Sequence, residues 1–239
     1  MWARLDWRRP EQVQLRSGLK LVCSSDKEDI RTLIEVFVRK TYGEIAPGAL
    51  VVDIGANIGL FAVYAVEQGA ARVLAYEPCP ESTGVIGDNI ELNRLQDRVQ
   101  VRRVAVSRSA GDTVRFAVRS SRDNQLALAP GQSEATIETT TTTLRDIFSD
   151  NGISHIDLLK MDCEGAENDI ILHSPVDVWK SISAVRLECH GNDKAIIEHL
   201  TRHGYRLTAP PTEESGRCMI LFFENVTAGS APPAAIGMY

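Results

Sequence analysis

From Ala49 onward, short apolar runs alternate with segments of helical periodicity. Strands are predicted at Leu50–Ile54, Val73–Tyr76, Val99–Val101, Val104–Val106, Thr113–Val118, Thr139–Thr143, Ile156–Met161, Ile182–Leu187, Arg206–Thr208 and Cys218–Phe223. Helices are predicted at Leu60–Gln68, Pro80–Asn93, Glu164–His173 and Lys194–His203, with a further helix starting near Leu144 behind a Thr142 or Thr143 cap. This alternation predicts an α/β fold with a mostly parallel, doubly wound sheet. No helix separates the last two strands, which indicates an antiparallel edge.

The two ends of the chain follow different patterns. Residues 1–48 predict a small N-terminal cap, made of a hairpin around Ser17-Gly18 and a helix within Asp26–Lys40. Residues 49–224 form the predicted main domain. Residues 225–239 predict a flexible tail, and Arg119–Ala135, rich in Ser, Gly and Pro, predicts a mobile loop.

Composition and charge restrict the partners of the protein. The 239 residues carry a formal charge of −6 without a dense Lys/Arg tract, which argues against a nucleic-acid substrate. No apolar run is long enough for a membrane span, and we expect a cytoplasmic protein. The five cysteines contain no C-x-x-C pair, so free thiols are expected rather than disulfides or zinc.

The clearest motif follows the first core strand and reads Asp53-Ile54-Gly55-Ala56-Asn57-Ile58-Gly59. Its glycines allow a tight turn and a close approach of the backbone to a ligand, and Asn57 tolerates left-handed backbone angles. A dinucleotide site requires G-x-G-x-x-G, whereas Asn57 and Leu60 occupy the second and third glycine positions. The loop has an acid and no basic residue up to Ala71, which favours the ammonium and sulfonium of S-adenosylmethionine over a diphosphate.

A second acid supports the same cofactor. Glu77 ends the second strand about twenty residues past the glycines, where a carboxylate can accept hydrogen bonds from both ribose hydroxyls.

Two later strands also end in acids. Lys160 and Asp162 share one face of a strand, and Glu188 and His190 share a face at the end of the next strand. Burying a charged side chain within an apolar strand costs free energy unless an opposite charge pairs with it. Lys160 is therefore predicted to form an ion pair. Tyr42, just before the first core strand, is a further candidate for contact with the cofactor.

At this point the sequence resembles the FkbM family of methyltransferases over about residues 50–190. The resemblance depends on the D-x-G-A-N-x-G motif from Asp53, on Tyr76-Glu77-Pro78, Asn89…Asn93 and Arg103-Val104-Ala105-Val106, and on the K-x-D-x-E-G-x-E motif from Lys160, while Glu188-Cys189-His190 fits the later acidic strand. It implies a Rossmann-like class I methyltransferase fold, S-adenosylmethionine as methyl donor, and O-methylation of a hydroxyl on a secondary metabolite or a glycan. The predicted cofactor contacts are Asp53, Gly55, Ala56, Asn57, Gly59, Glu77, Pro78, Ala105 and Asp162.

For catalysis we expect Asp162, Glu188 and His190 to form a polar wall facing the transferred methyl group. His190 is the expected proton acceptor because its ordinary pKa lies near neutrality. No metal is expected, although one His and two carboxylates form a workable ligand set for a divalent ion. Glu164 and Glu167 are interpreted as helix N-terminal acids favoured by the dipole.

Several alternatives remain open at this stage. An RNA methyltransferase would share the cofactor site, and an NAD(P)-dependent oxidoreductase would share the fold. A non-catalytic binding module would not require intact Asp53, Gly55, Gly59 and Glu77. The expected partner is a hydroxylated small molecule, with neither nucleic acid nor membrane. A homodimer is one option for the assembly, which the sequence does not determine.

Overall fold

The computed structural model describes residues 4–5, 12–23, 27–117, 136–214 and 218–227. The strands are β1 (Arg4–Leu5), β2 (Gln12–Gln14), β3 (Lys20–Val22), β4 (Leu50–Ile54), β5 (Arg72–Tyr76), β6 (Val99–Arg102), β7 (Ala105–Val106), β8 (Thr113–Ala117), β9 (Thr136–Thr142), β10 (Ile156–Met161), β11 (Ile182–Cys189), β12 (Tyr205–Leu207), β13 (Thr212–Glu214) and β14 (Cys218–Asn225). The helices are α1 (Lys27–Leu33), which continues as a π-helical segment (Ile34–Arg39), α2 (Leu60–Glu67), α3 (Pro80–Leu92), α4 (Leu144–Asn151), α5 (Glu167–His173), α6 (Val176–Lys180) and α7 (Asp193–Arg202).

The central sheet has the strand order β12-β14-β11-β10-β4-β5-β6, and β13 pairs with β14 as well. The strands from β11 to β6 are parallel, whereas β14 is antiparallel to its neighbours. The predicted parallel sheet with an antiparallel edge is therefore confirmed. Strands β4 and β10 lie at its centre and are almost entirely buried, as expected for strands covered on both faces.

Two smaller sheets flank the central one. Strands β1, β2 and β3 form an antiparallel sheet that contains the predicted hairpin. Strands β7, β9 and β8 form the other, so the strand material predicted at Val104–Val106 does not join the central sheet. Val13 and Leu21 share a hydrophobic cluster with residues of β4 and α2, and the division into a cap of residues 1–48 and a main domain stays a prediction.

Two asparagines of α3 complete the edge of the hairpin. The Asn89 side chain accepts from the backbone N–H of Val22 (2.6 Å) and donates to the carbonyl of Ile58 (2.8 Å). The Asn93 side chain accepts from the N–H of Lys20 (3.0 Å) and donates to its carbonyl (2.6 Å). These amides bind the open edge of β3 as a neighbouring strand would, and Asn89 also holds the loop that precedes α2.

Some boundaries differ from the predictions. Helix α5 begins at Glu167 rather than Glu164, because Glu164 (φ +53°) and Gly165 (φ +107°) have left-handed backbone angles. Asn225, which the prediction places in the tail, is the buried last residue of β14. Residues 119–135 and 228–239 lie outside the described residues. The helix-capping prediction is confirmed: Thr143 caps α4 in a capping box with Asp146.

Candidate active site

The carboxyl ends of four adjacent parallel strands form one edge of the central sheet. The predicted site residues Asp53, Glu77, Asp162, Glu188 and His190 lie at the ends of β4, β5, β10 and β11 or just beyond them. Strand register places Asp53 beside Lys160 on the neighbouring strand. Ligands bind outside this edge in open α/β sheets, so the sequence-predicted residues are on the appropriate side of the molecule.

The glycine loop has the backbone that its sequence predicts. Gly55 (φ +75°), Asn57 (φ +49°) and Gly59 (φ +80°) are all left-handed. A side chain at Gly55 would put its Cβ only 1.7 Å from the carbonyl oxygen of Asp162, and one at Gly59 would lie 3.1 Å from Ile86. The close approach that Gly55 permits is therefore to the backbone of β10, which brings Asp162 against the loop.

Glu77 is buried behind this loop. Its carboxylate accepts hydrogen bonds from the backbone N–H groups of Asn57 and Cys79, both at 2.9 Å. Burial raises the pKa of Glu77 to about 7, and the two hydrogen bonds limit the rise. Each carboxylate oxygen keeps a further lone pair, so the predicted contact with ribose hydroxyls agrees with the chemistry of this residue.

Two further predicted cofactor contacts lie next to the small β7–β9–β8 sheet. Pro78 lines a cavity of about 380 Å³ together with Arg103 and residues of β8 and β9. Ala105 is the buried first residue of β7. Their contact with the cofactor stays a prediction.

Asp53 and Lys160 form a sealed ion pair. The Lys160 Nζ lies 3.1 Å from Asp53 Oδ1, 3.7 Å from Asp162 Oδ2 and 2.9 Å from the Gly55 carbonyl, to which it donates. Burial acts to lower the pKa of Lys160, but Asp53 and Asp162 outweigh it and raise the value, so the ammonium stays charged. The predicted ion pair of Lys160 is confirmed. Asp53 is fully buried, and its direct contact with the cofactor stays a prediction.

A tyrosine from the N-terminal segment bridges the two strand-end acids. The Tyr42 hydroxyl lies 3.0 Å from Asp162 Oδ2 and 3.1 Å from Glu188 Oε2. The other Glu188 oxygen accepts from the thiol of Cys218 at 2.9 Å. Burial, followed by the charge of Asp162, raises the pKa of Glu188. The structure shows that Tyr42 binds both predicted catalytic acids, and its predicted contact with the cofactor stays a prediction.

Three carboxylates surround the imidazole of His190. Its Nδ1 lies 3.3 Å from Glu167 Oε1, and its Nε2 lies 3.7 Å from Glu164 Oε2 and 3.6 Å from Glu188 Oε1. Burial acts to lower the pKa of His190, but Glu167 above all, with Asp162 and Glu164, raises it to about 9. The ring therefore holds its extra proton at neutral pH, in contrast to the near-neutral pKa expected from sequence.

Glu167 is a site residue that sequence reasoning missed. It is fully buried, and its carboxylate accepts from the N–H groups of Cys163 (2.8 Å) and Gly165 (3.0 Å) besides facing His190. The sequence interpretation as a helix-dipole acid accounts for its place in the first turn of α5 but not for this contact. Protonated His190 supplies positive charge among these carboxylates, and the expectation of no metal stays a prediction.

A comparison of the sequence with known families identifies this arrangement. The family described as "Methyltransferase FkbM domain" matches residues 53–207. This range is well over half of the chain and contains the glycine loop and every predicted catalytic residue. The chain belongs to the FkbM family of methyltransferases.

Curated proteins support the FkbM assignment over most of the chain. The 31-O-demethyl-FK506 methyltransferase FkbM of Streptomyces tacrolimicus is 29% identical over 213 residues, which cover 73% of this chain and 81% of that protein. Methyltransferase sdnD of Sordaria araneosa is 26% identical over 187 residues, which cover 64% of this chain and 72% of that protein.

Solved structures show the same fold. An FkbM methyltransferase from Methylobacillus flagellatus aligns with a TM-score of 0.54 at 14% identity, covering 84% of this chain and 51% of that one. TrmK of M. capricolum, solved with S-adenosyl-homocysteine, aligns with a TM-score of 0.53 at 12% identity, covering 78% of this chain and 66% of that one. The Rossmann-like class I methyltransferase fold is thus confirmed.

FkbM-family membership also settles the class of enzyme and the cofactor. The protein is an S-adenosylmethionine-dependent methyltransferase, as the glycine loop and Glu77 predicted, and this replaces the NAD(P)-dependent alternative. Lys160, which lies among the carboxylates at the sheet edge, is already paired with Asp53. The other carboxylates therefore keep negative charge that fits a cofactor with an ammonium, a sulfonium and ribose hydroxyls. Within the described residues, no helix has the length and apolar character needed to cross a membrane.

Proposed function

We propose that this enzyme methylates a hydroxyl group of a small molecule, either a secondary metabolite or a sugar. The main support is the cluster of Asp162, Glu188 and His190, which offers hydrogen-bonding and proton-accepting groups at the sheet edge beside the cofactor loop. The Streptomyces tacrolimicus relative, which is named for an O-demethyl substrate, supports the same chemistry.

In this proposal the loop Gly55, Ala56, Asn57 and Gly59 holds the cofactor, together with Glu77, Pro78, Ala105 and Asp162. S-Adenosylmethionine supplies a methyl group on positively charged sulfur, which is left as a neutral thioether when the carbon–oxygen bond forms. Because the donor loses its charge, the protein contributes mainly alignment of the acceptor and removal of its proton.

His190 is the proposed proton acceptor. Its Nδ1 faces Glu167, so the neutral ring keeps its proton there and presents the Nε2 lone pair toward Glu188. The acceptor hydroxyl loses its proton to Nε2 as its oxygen forms the new bond. With a pKa of about 9, only roughly one His190 ring in a hundred is neutral at pH 7. Turnover limited by His190 therefore rises with pH.

Calorimetric titration with S-adenosylmethionine and S-adenosylhomocysteine, followed by a screen with methyl-labelled cofactor, tests the proposal. We expect micromolar binding of both cofactor forms and labelling of hydroxylated metabolites or sugars, with the label found as an O-methyl ether. Bulk tRNA and the matching amines serve as comparison acceptors. Labelling confined to tRNA or to amines would reject O-methylation of a small molecule.

A further inference from the structure

Tyr42 lies outside the matched family domain, yet it reaches the centre of the proposed site. The family match begins at residue 53. The hydroxyl of Tyr42 lies within 3.1 Å of oxygens from residues 120 and 146 positions later in the chain. The N-terminal segment therefore contributes a side chain to the group of acids that the family motifs supply.

Two contacts hold the ring of Tyr42. It packs edge-to-face on Phe61 of α2 with a centroid separation of 5.2 Å, and Lys160 Nζ lies 5.2 Å from its centroid. Edge-to-face aromatic packing and a cation over the ring each stabilise one orientation. The hydroxyl position is therefore fixed by packing that a phenylalanine would retain.

One phenolic proton serves two carboxylates. A tyrosine hydroxyl has one proton to donate, whereas Asp162 and Glu188 both lie at hydrogen-bonding distance from it. Burial, then the charges of Asp162 and Glu188, raise the pKa of Tyr42 well above its ordinary value, so the phenol stays a neutral donor. Among the described residues, further charged or titratable side chains lie around the two acids: Asp53, Lys160, Cys163, Glu164, Glu167, His190 and Cys218.

We infer that Tyr42 is a positioning residue for methyl transfer, which holds Asp162 and Glu188 together by sharing its phenolic proton between them. Without that proton, two like charges from adjacent strand ends would face each other with less compensation, and Glu188 would take up a proton from solvent more readily. The role in methyl transfer rests on the proposed function, whereas the link between Tyr42 and the two acids does not.

The link can be tested without cofactor or acceptor by thermal unfolding of Tyr42→Phe. Loss of a hydrogen bond to a charged group should lower the unfolding midpoint by roughly 5 °C at pH 8, and by less at pH 5. In an Asp162→Asn, Glu188→Gln background, the same substitution should have less than half that effect. Equal effects in both backgrounds and at both pH values would overturn the inference.

Tyr64→Phe is the matched control. Tyr64 is as buried as Tyr42, and its hydroxyl donates to the Gly43 carbonyl at 3.0 Å, next to Tyr42 in the chain. Because its acceptor does not titrate, its effect on the unfolding midpoint should be the same in both backgrounds.

The ratio of two dissociation constants measures the consequence for function. S-Adenosylmethionine carries a positive sulfur that S-adenosylhomocysteine lacks, so the Kd of the second divided by the Kd of the first reports the negative charge near the methyl group. The Asp162→Asn, Glu188→Gln protein should lower this ratio about tenfold at pH 8. In Tyr42→Phe the ratio should fall at a pH about one unit higher, because the Tyr42 hydrogen bond that lowers the pKa of Glu188 is lost.

The possible results separate the inference from the proposed function. A ratio that responds to the double variant but not to Tyr42→Phe overturns the inference alone. A ratio that ignores the double variant overturns the placement of these acids beside the methyl group, and with it the role of Tyr42 in methyl transfer. If the inference and the proposed function are both right, the ratio of the two dissociation constants changes in the double variant and in Tyr42→Phe.

Discussion

Lys160 and Asp162 are two residues apart on one face of the sheet edge, but they belong to two groups of charged side chains that differ in exposure to solvent. The side chains of Asp53 and Lys160 are 0% and 4% exposed. Those of Asp162, Glu188 and His190 are 26%, 15% and 18% exposed, so this second group can be reached from solvent. The first group balances its charge internally, whereas the second has more carboxylates than cations. Similar residue types thus serve structure in one place and are available for chemistry in the other.

The largest effect should come from breaking the sealed pair. Lys160→Met leaves the Asp53 carboxylate buried without a counter-charge, and we expect the free energy of unfolding to fall by about 3–5 kcal/mol. Denaturant unfolding measures this loss. Adding Asp53→Asn should restore much of the stability, because the uncompensated charge is then gone. A loss no greater than that of Asp162→Asn would contradict the contrast between the two groups.

In the exposed group the main effect should appear in turnover. His190→Ala should lower kcat by about 10²–10⁴-fold while the Kd of S-adenosylmethionine stays nearly unchanged. In the unaltered enzyme, kcat should rise about tenfold per pH unit between pH 7 and the His190 pKa of about 9, then level off. Stopped assays with the acceptor from the screen measure kcat in His190→Ala and the pH dependence of kcat in the unaltered enzyme. A flat profile from pH 7 to 9 would instead assign proton removal to Glu188.

The contact between the glycine loop and β10 joins the two groups, and Gly55→Ala tests it. The new Cβ would overlap the Asp162 carbonyl, so we expect a loss of about 2–4 kcal/mol in unfolding free energy. Gly111→Ala is the control, since Gly111 has a similar φ of +80° with no atom within 4 Å of the added Cβ. Its loss should be about 1 kcal/mol. Equal losses would mean that backbone strain alone, and not the contact with β10, requires glycine at position 55.

The smallest effect should be on cofactor affinity. Glu77→Ala should raise the Kd of S-adenosylmethionine about tenfold, as expected when one charged hydrogen-bonding group is lost. Because the pKa of Glu77 is about 7, affinity in the unaltered protein should improve between pH 6 and pH 8 as the carboxylate ionises. Calorimetry at these pH values measures both effects. An unaltered Kd in Glu77→Ala would discard the ribose assignment.

The sequence predicted the parts of this molecule that local patterns determine. Strands β4 and β10 were predicted with the observed bounds, because mostly apolar residues between turn signals leave little choice. The left-handed Asn57 and the Thr143 cap follow from side-chain chemistry within a few residues. Helix α6 and strand β13 were missed, since each is short and has no periodicity of its own.

Features that depend on distant contacts were beyond the sequence. The partners of Tyr42 lie more than a hundred positions away, so nothing near it in the chain indicates that it bridges two acids. The pKa of His190 depends on Glu167 across 23 positions and a helix start that the pattern placed three residues too early. Residue types identified the site, whereas protonation states required the fold.

The side-chain amides of Asn89 and Asn93 also limit where segments of this protein can be exchanged with those of its relatives in a chimera. They occupy the hydrogen-bonding edge of β3, which would otherwise be open to pairing with another chain. A chimera that exchanges the N-terminal segment while keeping α3 must preserve the spacing between these amides and the incoming strand. A protein trimmed to the family domain would lose that strand and Tyr42 together. We expect it to self-associate through the apolar residues that Val13 and Leu21 cover, and to have an altered active site. Exchange boundaries should therefore follow these hydrogen bonds rather than the limits of the matched family domain.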